Sequence, residues 1–234
     1  MQTCPNCGKA NTDLSKFCNE CGYSLPIVSE PTKKPPSNTL DFSTLVTGIP
    51  STASKRFADI MFVLDCTGSM GGEISAIKDT IAAFADTIKS DGVRARVGLI
   101  EFRDRLYGEE ANVLKFDGQV FTDNPTLFRA AVNSLEATGG GDAPESSLDA
   151  ILLATRQPFR TDASKVIVLV TDAPPHIPDV EAQSLEQVTT AIQSVGIDQF
   201  YIVMDVTDAE SQVYLQFIPG RRGMAFPSDK GMTF

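Results

Sequence analysis

Ile60-Met61-Phe62-Val63-Leu64-Asp65-Cys66-Thr67-Gly68-Ser69-Met70 is the stretch on which the reading of this chain turns. Five apolar residues in a row, Ile60 to Leu64, predict a strand buried on both faces, as at the centre of a parallel sheet. The run stops at Asp65, and two hydroxyl residues follow at alternate positions, Thr67 and Ser69. In an open α/β sheet, ligands bind where loops leave the carboxyl ends of the strands. One carboxylate and two hydroxyls at a spacing of two, on such a loop, make an all-oxygen half-site for a hard cation.

Two segments further along carry the same kind of chemistry. They are Gly139-Gly140-Gly141-Asp142-Ala143-Pro144-Glu145 and Val170-Thr171-Asp172-Ala173-Pro174. With them in this order, Asp65-x-Thr67-x-Ser69 resembles the first metal-binding motif of von Willebrand factor A domains, D-x-S/T-x-S. The wording is most similar to the variants of atypical alpha-kinases and hemicentin-like proteins, and the resemblance covers roughly residues 57 to 226. It implies a Rossmann-like α/β fold and a magnesium site, the metal-ion-dependent adhesion site. In that site Thr67 and Ser69 bind directly, and Asp65 and Asp172 bind directly or through water. Asp142 stands where many members place a threonine, and Thr138 is a second candidate for that position. One coordination position is then left for an Asp or Glu of a partner protein.

Outward from this core, strand and helix patterns alternate. Ile74, Ile77, Ile81, Phe84 and Ile88 recur at steps of three and four, predicting an amphipathic helix that stops at Gly92. Residues 93 to 102 alternate as a strand, and residues 112 to 121 read as a strand with a turn or bulge at Asp117-Gly118. A short helix bearing Leu127, Phe128, Ala131, Val132 and Leu135 starts at Asn124-Pro125. Another begins with Pro144 and Glu145 in its first turn and buries Leu148, Ile151 and Leu152. Val166 to Val170 and Phe200 to Met204 are further buried strands, flanking a helix from Leu185 to Val195 closed by Gly196. Asp208 caps a helix reaching Phe217, and a last strand lies around Met224 to Phe226. This alternation predicts a doubly wound, mostly parallel sheet. The family usually closes with a helix that, in switching members, moves when the metal binds. None is read before Phe234, which argues against a helix-driven switch.

The first 25 residues differ in kind. Cys4-Pro5-Asn6-Cys7-Gly8 and Cys18-Asn19-Glu20-Cys21-Gly22 form two knuckles. Each two-residue gap lets a tight turn present both thiolates to one ion, and four sulfurs close the tetrahedral shell of a structural Zn2+. A redox dithiol is the competing reading, and the duplicated knuckle argues against it. Such a short segment cannot bury enough apolar surface to fold alone, so the metal supplies its stability. With Lys9 and Lys16 as its basic residues, nucleic-acid binding is disfavoured and a protein-contact role is expected. Residues 26 to 55, with Pro26, Pro31, Pro35, Pro36 and Pro50, read as a flexible linker, leaving 56 to 234 as the large domain.

Charge is uneven along the chain. Residues 1 to 56 hold six Lys/Arg against four Asp/Glu (+2), and the rest holds 14 against 26 (−12), so the net −10 comes from the large domain. An acidic domain argues against duplex nucleic acid as its partner. No apolar run approaches the ~20 residues that span a bilayer, and no secretory leader is evident. A soluble, cytoplasmic protein of bacterial type is expected.

An enzyme is disfavoured, since no Ser-His or Cys-His pairing and no phosphate-cradling loop stands out. Aspartyl-phosphate chemistry at Asp65 would place a second acid at the position held by Thr67. The expected function is a metal-dependent interaction module tethered to a zinc ribbon, with kinase, phosphatase or ATPase systems as partners. A metal-dependent hydrolase and a nucleic-acid adaptor acting through the ribbon are the alternatives. Glu145 is read as a helix first-turn residue, His176 as a solvated loop residue and Cys66 as a small packed hydrophobe.

Overall fold

The computed structural model describes residues 2–3, 9–11, 57–72, 74, 78, 94–141, 143–218, 220 and 222–227. Cys4, Cys7, Cys18, Cys21, the linker, Asp142 and most of the helix predicted over 74–88 lie outside them. Two compact units divide the chain, Met1–Ser37 and Asn38–Phe234. Within the first, β1 (Gln2–Thr3) pairs antiparallel with β2 (Ala10–Asn11).

The second unit is built on a six-stranded sheet. Its strands are β3 (Phe57–Asp65), β4 (Arg94–Phe102), β5 (Asn112–Val113), β6 (Ser164–Val170), β7 (Gln199–Met204) and β8 (Arg222–Pro227). The order is β5-β4-β3-β6-β7-β8, parallel throughout except for β5. Crossovers run outward from β3 in both directions, so the strand order reverses between β3 and β6. Loops leaving the carboxyl ends of those two strands diverge and open the crevice in which such folds bind ligands.

Each strand side chain alternates between two cores. Ile60, Phe62 and Leu64 face one layer with Phe128 and Val132 of α1 (Pro125–Asn133). Met61 and Val63 face the other, against α2 (Ser147–Thr155) and α3 (Leu185–Val195) through Leu148, Ile151, Val188 and Ile192. Helices on both faces make the sheet doubly wound, and they explain why Ile60 to Leu64 are apolar without interruption. Asn124 caps α1 by accepting from Thr126 N–H at 3.0 Å, with Pro125 in its first position. Gly196, at φ 71°, ends α3 in the left-handed conformation.

Three local readings are corrected. Over 112–121 only Asn112–Val113 joins the sheet. The chain then turns back through Phe116↔Gln119, where Asp117 and Gly118 take φ 49° and 81°, a two-residue hairpin turn. Asp208 accepts from Ser211 N–H at 2.8 Å and a helix does reach Phe217, but Ser211–Phe217 is a 3-10 helix with Glu210 at its N-cap position. Finally, α2 begins at Ser147, so Pro144 and Glu145 precede it. The backbone of Glu145 is instead engaged by the third strand-end loop: its N–H donates to Pro174 O at 2.9 Å, and His176 N–H donates to its carbonyl at 3.1 Å.

The amino-terminal edge of the sheet is locked by Asp59. This buried carboxylate accepts from Arg96 Nη2 at 2.7 Å and Arg160 Nη2 at 2.6 Å. Burial alone would raise its pKa, but these bonds outweigh it and hold the carboxyl below the usual range.

Candidate metal centre

At the opposite edge, β3 ends in Asp65 and runs into a 3-10 turn, Gly68–Gly72. The turn folds Thr67 back over its own strand end. Thr67 donates to Asp65 Oδ1 through both its N–H (2.9 Å) and its hydroxyl (2.6 Å). Ser69, one step further, donates its hydroxyl to Asp172 Oδ1 at 3.0 Å, and so reaches the loop after β6. Thr67 Oγ1 and Ser69 Oγ lie 3.1 Å apart. Either hydroxyl can donate to the other across this gap, so the two oxygens stand side by side between the carboxylates of Asp65 and Asp172 and offer lone pairs to a cation.

The glycine loop closes the second side. Thr138 N–H donates to Cys66 O at 2.9 Å and Gly68 N–H to Gly139 O at 3.0 Å, laying the two loops alongside each other. Gly140, at φ 81°, leaves room that a side chain would fill: a Cβ there would stand 3.2 Å from Thr67 Cβ and 3.0 Å from Glu145 Oε1. Glycine is required at this point both for its conformation and for its close approach. The donor set of Asp65, Thr67, Ser69 and Asp172 is all oxygen and contiguous, which fits Mg2+ or Mn2+. Among the described residues, no three His, Cys, Asp or Glu side chains cluster to hold a metal. The two carboxylates share this site with hydroxyls, and Asp142 lies outside the described residues. Thr138 is exposed, with its backbone, not its hydroxyl, bridging to the first loop.

Asp65 is buried, and that burial raises its carboxyl from 3.8 to about 6, against the opposing hydrogen bonds of Thr67 and Thr171 and with added repulsion from Asp172. Cys66, also buried, has its thiol pushed up to about 12, mainly by desolvation, and packs as a small hydrophobe.

Several residues take roles at the site that the sequence pattern did not assign to them. Thr171 donates its hydroxyl to Asp65 Oδ2 at 2.7 Å, joining the first and third motifs from behind. Glu145, buried, brings its carboxylate to the glycine loop beside Thr67. Glu109 accepts from Gly140 N–H at 2.9 Å and pins that loop from outside. His176 is not a solvated loop residue: it is buried, with Nε2 3.3 Å from the buried Asp104 Oδ2. Asp104 in turn accepts from Leu106 N–H at 2.8 Å, at the start of the 3-10 turn Arg105–Tyr107. Nothing in the spacing of these residues marks them, because each acts across a contact made only by folding. Thr171 alone carried a local signal, as the neighbour of a strand-end aspartate.

Residues 59–213 match the family of the von Willebrand factor A domain, and residues 3–25 match a zinc-ribbon domain. Over 120 residues the chain is 28% identical to the alpha-protein kinase vwkA of Dictyostelium discoideum, half of this chain and 19% of the kinase. Over 137 residues it is 33% identical to human von Willebrand factor A domain-containing protein 7, 58% of this chain and 13% of that protein. The chain thus spans about a fifth or less of the length of these curated relatives. Among solved structures, a von Willebrand factor type A protein from Catenulispora acidiphila superposes with a TM-score of 0.55 at 21% identity, over 75% of this chain and 39% of that one. Proximal thread matrix protein 1 of the mussel byssus gives 0.57 at 14% identity, over 76% and 44%. Both share the fold. Among the described residues no helix is long and apolar enough to cross a membrane.

Proposed function

This chain belongs to the von Willebrand factor A domain family, and from that premise we propose that it is a divalent-cation-dependent protein-interaction module. A domain of this family and a zinc ribbon in one chain support an interaction role in general. The finer reading rests on one observation, the facing hydroxyl oxygens of Thr67 and Ser69 between two carboxylates. Asp65, Thr67, Ser69 and Asp172, with Asp142, would hold Mg2+ or Mn2+. When bound, the ion supplies an incompletely neutralised positive charge and a coordination position that an Asp or Glu of a partner protein can take. The chain's own residues keep the donors in place: Thr171 orients Asp65, and Glu109 and Gly140 set the wall of the site. The four knuckle cysteines, Cys4, Cys7, Cys18 and Cys21, would hold Zn2+ and make a second contact. Two linked weak contacts raise avidity without either being strong.

Calorimetric titration of EDTA-treated protein with Mg2+ and Mn2+, beside Asp65→Ala, tests this. Saturable binding lost in the variant, and strengthened by an acidic peptide, is the expected result. No binding by wild type, with or without the peptide, sinks the proposal. Hydrolysis of a phosphate ester that depends on the same ion would move the site to the hydrolase reading.

A further inference from the structure

Tyr214 is fully buried on the 3-10 helix Ser211–Phe217, yet its hydroxyl reaches the metal loop. It donates to Ala173 O at 3.0 Å and lies 2.7 Å from Ser147 Oγ at the start of α2. Since the phenol proton goes to Ala173, Ser147 is the donor in the second bond. Burial holds the phenol neutral, well above its ordinary pKa, with the Asp65 and Asp179 charges adding to this and the hydroxyls of Ser147 and Thr171 opposing it.

The consequence runs through Thr171. Its hydroxyl, which also neighbours the Tyr214 hydroxyl, has one proton, for which Asp65 Oδ2 at 2.7 Å is a nearer acceptor than Ala173 O at 3.3 Å. The same oxygen accepts from Ala173 N–H at 3.2 Å, which restricts how it turns. The carboxylate is the nearer and the stronger acceptor, so the proton goes to Asp65; what the phenol fixes is the position of Ala173, whose N–H holds the Thr171 oxygen. Packing alone would be served by the aromatic ring without its oxygen. We propose that Tyr214 is a positioning residue for the metal centre: by anchoring Ala173, whose N–H restrains the Thr171 oxygen, it keeps the Thr171 hydroxyl on Asp65, and so holds that carboxylate in the orientation in which it binds a cation. The inference rests on the cation-site reading above. It adds a residue from the last third of the domain, distant in sequence from all three motifs.

Removing a group that orients a metal ligand typically weakens metal binding about 10- to 100-fold. The test is Mg2+ and Mn2+ affinity of the full chain for wild type, Tyr214→Phe, Ser147→Ala and Thr171→Val, with Tyr214→Phe also introduced into Thr171→Val. Tyr214→Phe should lose affinity by about that factor, whereas Ser147→Ala, which leaves the phenol proton on Ala173, should lose far less. In the Thr171→Val background Tyr214→Phe should change nothing further, because the group through which it acts is gone. If Tyr214→Phe is destabilised, the rise of its melting temperature with Mg2+ concentration still reads the affinity by linkage. Wild-type affinity in Tyr214→Phe, or an undiminished effect of that substitution beside Thr171→Val, overturns the inference and leaves the site standing. A wild type that binds neither ion overturns both.

Discussion

Asp65 carries opposing demands. In the proposed site it would supply a carboxylate to the cation, yet it is buried where a bare carboxylate is costly. In metal-free protein its carboxyl is raised from 3.8 to about 6, so the folded state holds that proton more tightly than the unfolded chain does. Its contribution to stability is therefore complete below about pH 4 and lost as the pH rises through about 6. Thermal melts of EDTA-treated protein should show this component of the fall between those values, and Asp65→Asn should remove it. The same substitution should leave the protein at least as stable at pH 7 while abolishing Mg2+ binding; an unchanged pH profile would refute the assignment. Gly140 makes a second residue-scale test. At φ 81°, and with Thr67 and Glu145 at contact distance from any Cβ, Gly140→Ala should cost roughly 1–2 kcal/mol for the left-handed conformation alone. Urea midpoints with and without Mg2+ would show a larger loss with the ion, because the same Cβ presses on Thr67.

Between elements, what builds the site is the way loops from different strands are bonded to one another. The Asp65 loop lies along the glycine loop through Thr138 and Gly68, and the glycine loop continues into Glu145, whose backbone is bonded to Pro174 and His176. Arg105 adds a tie by pairing with the buried Asp149, which also accepts from the N–H groups of Glu181 and Ala182 at 3.0 and 2.7 Å. Strand pairing further out is equally close. A Cβ on Gly223 of β8 would stand 1.9 Å from Phe200 O of β7. Gly223→Ala should therefore push β8 off β7 and cost about 1–3 kcal/mol, the usual range for overpacking. Chemical denaturation would register that loss, whereas Mg2+ affinity should stay near wild type, since β8 holds no proposed ligand. A variant as stable as wild type would mean that β8 is not paired in this register.

For the whole molecule, the two metal readings separate by cysteine chemistry. Cys66 is buried with its thiol pushed up to about 12, so it should resist alkylation in the native state. The proposed zinc ligands should be protected by their ion and become reactive when it is stripped. Counting thiols should give none labelled in the native protein, four after a strong zinc chelator and five only on unfolding. Mg2+ should change none of these counts. Labelling of Cys66 in the folded chain would contradict its burial, and four thiols reactive without a chelator would remove the zinc assignment.

Sequence alone was sufficient for the sheet, its doubly wound character and the three motif loops. The reason is that burial on both faces leaves uninterrupted apolar runs, Ile60–Leu64 and Val166–Val170, ending abruptly in Asp65 and Thr171-Asp172. Proximity of Thr67 and Ser69 to Asp65 is likewise local, set by a spacing of two on one tight turn. Tertiary structure alone decided the surroundings. Glu145 reads as a helix residue because Pro and Glu favour a first turn, but its backbone is taken by the neighbouring loop and α2 starts two residues later. The polarity of His176 predicts solvent, but Asp104 lies 72 positions earlier and meets it only once β4 and β6 flank β3. Thr171 and Tyr214 join the site by hydrogen bonds across 106 and 41 positions. A ligand's identity follows from chemistry that neighbouring residues in the chain can express; what orients that ligand depends on which surfaces the fold brings together.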